Sequence, residues 1–149
     1  MAKYKEVHEL EVDDVGEFDL ETEVGRVTFV GAETERLAVE VEREFGDTSE
    51  AEAVAGFQVD VTRHEGRVRI VGRRTWEDER FQQMRVHFRL KLPRQYQVRI
   101  KTAGGSVHGE AIQGDLSINT PGGSIRLERC TEGACQHIRG NHHARWRKG

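Results

Sequence analysis

Apolar and polar residues alternate along most of this chain. In EFDLETEV, Phe18 and Leu20 fall on one side with Thr22, and Asp19 and Glu21 on the other. GRVTFVG repeats the pattern with Val27 and Phe29, RLAVEVERE with Leu37, Val39 and Val41, FQVDVTR with Phe57, Val59 and Val61, and RVRIVGR with Val68 and Ile70. The longest case is MRVHFRLKLPR, where Val86, Phe88, Leu90 and Leu92 alternate with Arg85, His87, Arg89 and Lys91. A period of two sustained this far predicts strands with one buried and one wet face. The expected core is Phe29, Val39, Val59, Ile70, Val86, Phe88, Leu90, Val98, Ile100, Leu116, Ile118 and Ile125. Two segments interrupt the alternation. TSEAEAVA (48–55) reads as a short helix capped by Thr48 or Ser49, or as a polar excursion. TWEDERFQQ (75–83) reads as a short helical turn or a hairpin tip. Neither has an apolar stripe, so both are expected to connect strands.

From about residue 96 the strands shorten and glycine becomes frequent. TAGGSV at 102–107 recurs as TPGGSI at 120–125, an offset of 18 residues. At that offset Val98 aligns with Leu116, Ile100 with Ile118, Thr102 with Thr120, Gly105 with Gly123 and Val107 with Ile125. A fixed period of this size predicts a solenoid, each coil stacking on the last at the strand spacing, with glycine supplying positive φ at the corners. LETEVGRV is a fainter echo, in which Leu20, Thr22, Gly25 and Val27 take the same places.

The run VRIKTAGGSVHGEAIQGDLSINTPGGSIRLE (98–128) resembles the bacterial putative-adhesin family of domains of unknown function, relatives of the toast-rack domains of envelope stress-response proteins. MRVHFRLKLPRQYQVRIKTAGGSV is similar to that family's junction between an N-terminal β region and glycine-rich coils, and FDLETEVGRVTFVGAETERLAVEVERE to its opening strands. The resemblance spans roughly residues 7–133. It implies a right-handed, β-helix-like stack of strands and no known enzyme activity. The family's further coils are replaced here by ACQHIRGNHHARWRKG. The expected architecture is therefore all-β: one domain over 1–133, with long antiparallel strands in 4–95 and glycine-cornered coils in 96–133, then an irregular basic tail over 134–149.

The composition, with 36% apolar and 33% charged residues in 149, fits one domain with a modest core. The charge is unevenly spread. Residues 1–60 hold 18 acidic and 5 basic side chains, and residues 61–149 hold 8 and 18. Either acidic strands lie beside basic ones, or the basic half binds a polyanion. Arg63, Arg67, Arg69, Arg73 and Arg74, with Arg85, Arg89, Lys91, Arg94, Arg99 and Lys101, would line one face in the second case, with Trp76 and Tyr96 among the few interleaved aromatics.

The residues offer little chemistry. Cys130, Cys135, His137, His142 and His143 are metal-ligating types, but fit no standard finger spacing. The two cysteines read as reduced thiols or a short-loop disulfide. GGSVHGEAIQG lacks a GK[ST] and opens no helix, so its signal as a phosphate loop is very weak and corner glycines explain it. Ser106, Ser117 and Ser124, with His64, His87 and His108, fix no Ser/His/acid geometry, and Asp13-Asp14 and Glu77-Asp78 sit in expected turns. No catalytic, cofactor-binding or metal residue is assigned, and no cofactor. A non-enzymatic β-scaffold or interaction domain is expected, with a polyanion or nucleic-acid binding module as the alternative. The expected partners are another copy of the chain, through exposed strand edges, or a second protein. The opening MAKYKEVHEL has no apolar leader core and no stretch is long enough to span a bilayer, so a cytoplasmic location is expected, or the cell envelope if a leader has been removed.

Overall fold

The computed structural model describes residues 2–45, 50–75, 84–103, 105–130 and 135–146. The alternation becomes eleven strands and one short helix: β1 Ala2–Glu11, β2 Glu17–Thr22, β3 Arg26–Ala32, β4 Arg36–Phe45, α1 Glu50–Gly56, β5 Phe57–His64, β6 Arg67–Arg74, β7 Arg85–Pro93, β8 Gln97–Thr102, β9 Val107–Glu110, β10 Leu116–Cys130 and β11 Cys135–Trp146. The hydrogen-bonded path runs β1-β4-β7-β3-β9-β10-β8-β2-β6-β5, with β11 also on β10. β10 belongs to both halves of the path. Leu116–Asn119 pair with β8 and Ile125–Glu128 with β9. The path therefore folds at β10 into two layers, β10-β8-β2-β6-β5 and β10-β9-β3-β7-β4-β1.

The layers bury one core between them. Phe18, Leu20, Val68, Ile70, Val98, Ile100, Leu116 and Ile118 come from the first, and Val27, Phe29, Val39, Val41, Phe88, Leu90, Val107 and Ile125 from the second. The Phe57 and Phe88 rings meet edge-on at 6.0 Å across the gap. Of the twelve expected core residues, only Val59 is not fully enclosed. It lies half-buried on β5, the last strand of its layer among the described residues.

Strand direction departs from the expected antiparallel block over 4–95. β2 pairs in parallel with both β6 and β8, and β3 with both β7 and β9. Among the described residues only β1–β4, β4–β7 and β5–β6 are antiparallel. Alternation specifies a strand and its faces, not its direction. What sets direction here is the corner that carries the chain from one layer to the other.

The repeated phrase forms that corner. Leu20 pairs with Ile100 and Thr22 with Thr102, Ile100 pairs with Ile118, and Val27, Val107 and Ile125 continue the ladder in the other layer. Thr22, Thr102 and Thr120 are all buried. The Thr102 hydroxyl donates to the Gly25 carbonyl at 3.2 Å and the Thr120 hydroxyl to the Gly105 carbonyl at 2.5 Å, so each corner is tied to its predecessor. The glycines serve this approach rather than the expected positive φ, which Gly25 alone of the three adopts. A Cβ on Gly105 would lie 1.7 Å from the Gly25 carbonyl oxygen, and one on Gly123 2.0 Å from that of Gly105.

The 48–55 segment resolves as α1 from Glu50, with Ala53 buried against the core. Most of TWEDERFQQ lies outside the described residues. The expected irregular tail is instead largely β11, which pairs in parallel with β10 from Leu116↔Cys135 to Cys130↔Trp146. Backbone pairing to an open strand edge needs no apolar alternation, so the sequence pattern did not announce it. No helix among the described residues is long and apolar enough to cross a membrane.

Two glycine substitutions separate close approach from backbone conformation. Gly66, in the β5–β6 turn, has φ 79° and open space around its Cα. Gly66→Ala is expected to cost about 1 kcal/mol through strain alone. Gly105→Ala must push two backbones apart, at about 2–4 kcal/mol. Urea midpoints of the two variants measure the difference, and equal losses would show that the corner is not tightly packed.

Candidate functional site

The outer face of the first layer is built from alternately charged strands. β2 presents Glu17, Asp19 and Glu21 between Arg67 and Arg69 of β6 and Arg99 and Lys101 of β8. Arg67 donates to Glu17 through Nε at 2.7 Å and Nη2 at 2.5 Å, and lies 3.9 Å from Asp19. Arg69 reaches Glu21 at 3.4 Å, Arg99 reaches Asp19 at 3.8 Å and Arg73 reaches Asp60 of β5 at 2.9 Å. The Glu17 carboxylate raises the Arg67 pKa further above its ordinary value. Two shallow grooves cross this face. One, of about 270 Å³, lies over Glu17, Asp19, Arg67, Gln97, Arg99 and Ser117. The other, of about 470 Å³, has Val71, Gly72 and Ala103 in its lining and is rimmed by Glu21, Arg69, Arg73 and Lys101.

The second layer repeats the device. β4 sets Glu40 and Glu42 beside Arg89 of β7, which hydrogen-bonds both. That bond holds the Glu42 carboxyl below its usual range, and the two carboxylates raise Arg89. Next to this pair His87 is half-buried, and its Nε2 lies 2.8 Å from the Thr28 hydroxyl of β3. Burial, with Arg89 and Arg26 beside it, pushes the imidazole down to about 4 from 6.5. On the other side of Thr28, His108 of β9 has a buried Nε2 with no hydrogen-bond partner. His87, the Thr28 hydroxyl and His108 line a polar seam within the face.

One buried charge went unanticipated. Arg43 of β4 is 0% exposed, and its Nε and Nη2 donate to the Phe57 carbonyl at 3.0 and 2.7 Å. Its Nη1 donates to Glu6 of β1 at 3.0 Å, and the guanidinium lies 5.8 Å over the Phe57 ring. This one side chain closes the end of the two-layer stack by joining β1, β4 and β5. The signal was present in the sequence: the alternation Leu37, Val39, Val41 carries on to Arg43 and Phe45, placing an arginine in an inward position.

The other residues weighed from sequence are scattered. His64 lies on β5 and Ser117 on β10 in the first layer, whereas His87, His108 and Ser124 lie in the second. No serine hydroxyl is hydrogen-bonded to a histidine among the described residues. The side chains of Cys130, Cys135, His137, His142 and His143, and all of Glu77 and Asp78, lie outside the described residues, and so does Trp76. Among the described residues no cluster of three His, Cys, Asp or Glu side chains could hold a metal. The basic residues do not share a face: Arg67, Arg69, Arg73, Arg99 and Lys101 belong to the first layer, Arg85, Arg89 and Lys91 to the second.

The sequence matches no protein-family model and no curated protein. Among solved structures it is similar to a putative cell adhesion protein from Clostridium sporogenes, with 11% identity and a TM-score of 0.53, covering 86% of this chain and 59% of that one. It is also similar to a putative lipid binding protein from Parabacteroides distasonis, with 8% identity and a TM-score of 0.44, covering 94% of this chain and 59% of that one. The chain thus spans less than two thirds of either neighbour. The first likeness shows a shared fold.

His87 makes stability depend on pH in a defined window. Its folded pKa, about 4, lies below the unfolded value of 6.5, so between these values only the unfolded chain takes up the proton. The contribution of His87 is complete above pH 6.5 and is lost as pH falls toward 4. Glu42, whose carboxyl is also depressed, loses its contribution only below its ordinary 4.5. Urea midpoints should therefore fall from pH 7 to pH 4.5 in the parent protein and fall less in His87→Gln. An unchanged slope in the variant would show that folded His87 titrates normally.

Proposed function

We propose that this chain is a non-enzymatic β-scaffold of the adhesin type, an interaction domain whose parallel strands form short right-handed coils and whose flat charged faces receive a protein partner. One observation carries the proposal. The most distinctive phrase in the sequence, T-x-G-G-S, forms a corner with its threonines turned inward, while the outer faces are left as rows of paired charges. A flat and alternately charged surface suits recognition of a complementary protein surface, where such rows set specificity and register more than raw affinity. The fold shared with a protein described as a putative cell adhesion protein agrees with this role.

Polyanion binding finds less support in the same geometry. The basic half of the sequence lies on two different layers, and each basic row stands beside an acidic one, Arg67 on Glu17 and Arg89 on Glu40. A phosphate backbone would meet neutralised rows rather than a continuous positive track. Self-association through free strand edges accompanies the interaction role; β10 carries β11, so the candidate edges among the described residues are β1, β5 and β11.

Affinity capture with the parent protein and with Arg99→Glu/Lys101→Glu tests the interaction face. A protein retained by the parent and lost by the variant is the expected result. Fluorescence anisotropy with labelled single-stranded DNA and with heparin covers the alternative. No saturable binding is expected at physiological salt, and tight binding with a steep salt slope would replace the protein-partner role with the polyanion one.

A further inference from the structure

β1 is a free edge written to fit itself. It pairs with β4 through ten consecutive residue pairs, Ala2↔Phe45 to Glu11↔Arg36, without a register shift, and among the described residues nothing pairs with its other side. Its outward backbone groups form a continuous template, because the strand contains no proline, no glycine and no bulge, and only its charged side chains guard it. At its centre stands Val7, 56% exposed, one of two large apolar residues exposed among the described residues.

The residues around Val7 are arranged in self-complementary order. In AKYKEVHELE, an antiparallel pairing of two copies centred on Val7 sets Lys5 opposite Glu9 and Lys3 opposite Glu11, each occurring twice by symmetry. On the other side of the strand it sets Glu6 opposite His8 and Tyr4 opposite Leu10. Val7 meets its own copy on the twofold axis. Opposite charges and apolar pairs directly across a ladder each stabilise it by about 0.2–1 kcal/mol relative to Ala–Ala. The alternatives are poor. Parallel pairing in register puts Lys3, Lys5, Glu9 and Glu11 each against itself. Sliding the antiparallel pair by two residues puts either Glu6 on Glu6 or His8 on His8, and sliding by one turns the wrong face inward. The two sides are also chemically sorted: Tyr4 and Leu10 pack against the core, whereas Lys5, Val7 and Glu9 point to solvent. Among the described residues Lys5, Glu9 and Glu11 make no ion pair within the chain, while Lys3 lies 3.6 Å from Glu42.

We propose that β1 joins a second copy of this chain as a twofold antiparallel strand pair centred on Val7, making one continuous sheet of the two second layers. The edge lysines that repel foreign strands are placed where a copy of the same strand offers glutamate. The proposal refines the self-association part of the interaction role and names its edge. Failure of the dimer would leave recognition by the charged faces standing.

Charge exchange tests it. Lys5 and Glu9 are exposed, so Lys5→Glu and Glu9→Lys should leave the circular dichroism spectrum of the fold unchanged. In a Lys5→Glu homodimer each position 5 meets a glutamate, and in a Glu9→Lys homodimer each position 9 meets a lysine. Mixed together, the two variants present only opposite pairs. Sedimentation velocity over a concentration series should show a dimer for the parent, at least tenfold weaker dimerisation for each variant alone, and a dimer again in the equimolar mixture. A monomeric parent at every concentration, unaltered dimerisation in the single variants, or a mixture no tighter than its components would each overturn the proposal.

Discussion

The structure rests on a hydroxyl-to-carbonyl bond made twice, Thr102 to Gly25 and Thr120 to Gly105. A corner carrying a Cβ at Gly105 or Gly123 could not come close enough to form it. Once the corners are stacked, register follows: Leu20 on Ile100, Ile100 on Ile118, Val27 on Val107 and Val107 on Ile125. The apolar column and the charged rows outside it are two faces of the same registration, since side chains alternate along each strand. A slip of one residue at a corner would bury Asp19 and expose Leu20.

That coupling explains the lopsided charge of the sequence. The acidic first 60 residues supply β2 and β4, and the basic remainder supplies β6, β7 and β8. The strand order interleaves them, so a chain with two oppositely charged halves folds into faces on which the charges are locally matched. The individual pairs are exposed and each is worth little. Their collective effect is specificity of neighbour, because a basic strand placed beside another basic strand would set like charges in opposition.

How much of this was legible varies by residue. The enclosed positions of β3, β6, β7, β8 and β10 followed from alternation, and the stacking of Thr102 and Gly105 against Thr120 and Gly123 was visible as a repeat. The echo at Leu20, Thr22, Gly25 and Val27 was visible too, but long alternating strands around it suggested antiparallel neighbours. Strand direction leaves no mark on a period-two pattern. Val59 looked like core because its own strand alternates, and only the sheet order places that strand last in its layer among the described residues. Arg43 could have been read from its inward parity, yet an inward arginine acquires meaning only when the Phe57 carbonyl and Glu6 are brought to it. The pairing of His87 with Thr28 joins residues far apart in the chain and has no local signature.

The flanking of β2 and β3 has a consequence for how the chain is made. β2 needs β6 and β8, and β3 needs β7 and β9, so the first layers of the N-terminal strands are completed only when residues up to Glu110 exist. During synthesis the early strands must wait with both edges open, the condition in which nascent β segments aggregate. Those waiting residues carry the strong acidic surplus, and the basic strands that neutralise it arrive last. Like charges set opposite one another would disfavour pairing among the waiting strands until the basic partners emerge. The order of charges along the chain thus doubles as a timetable, solubilising first and pairing afterwards.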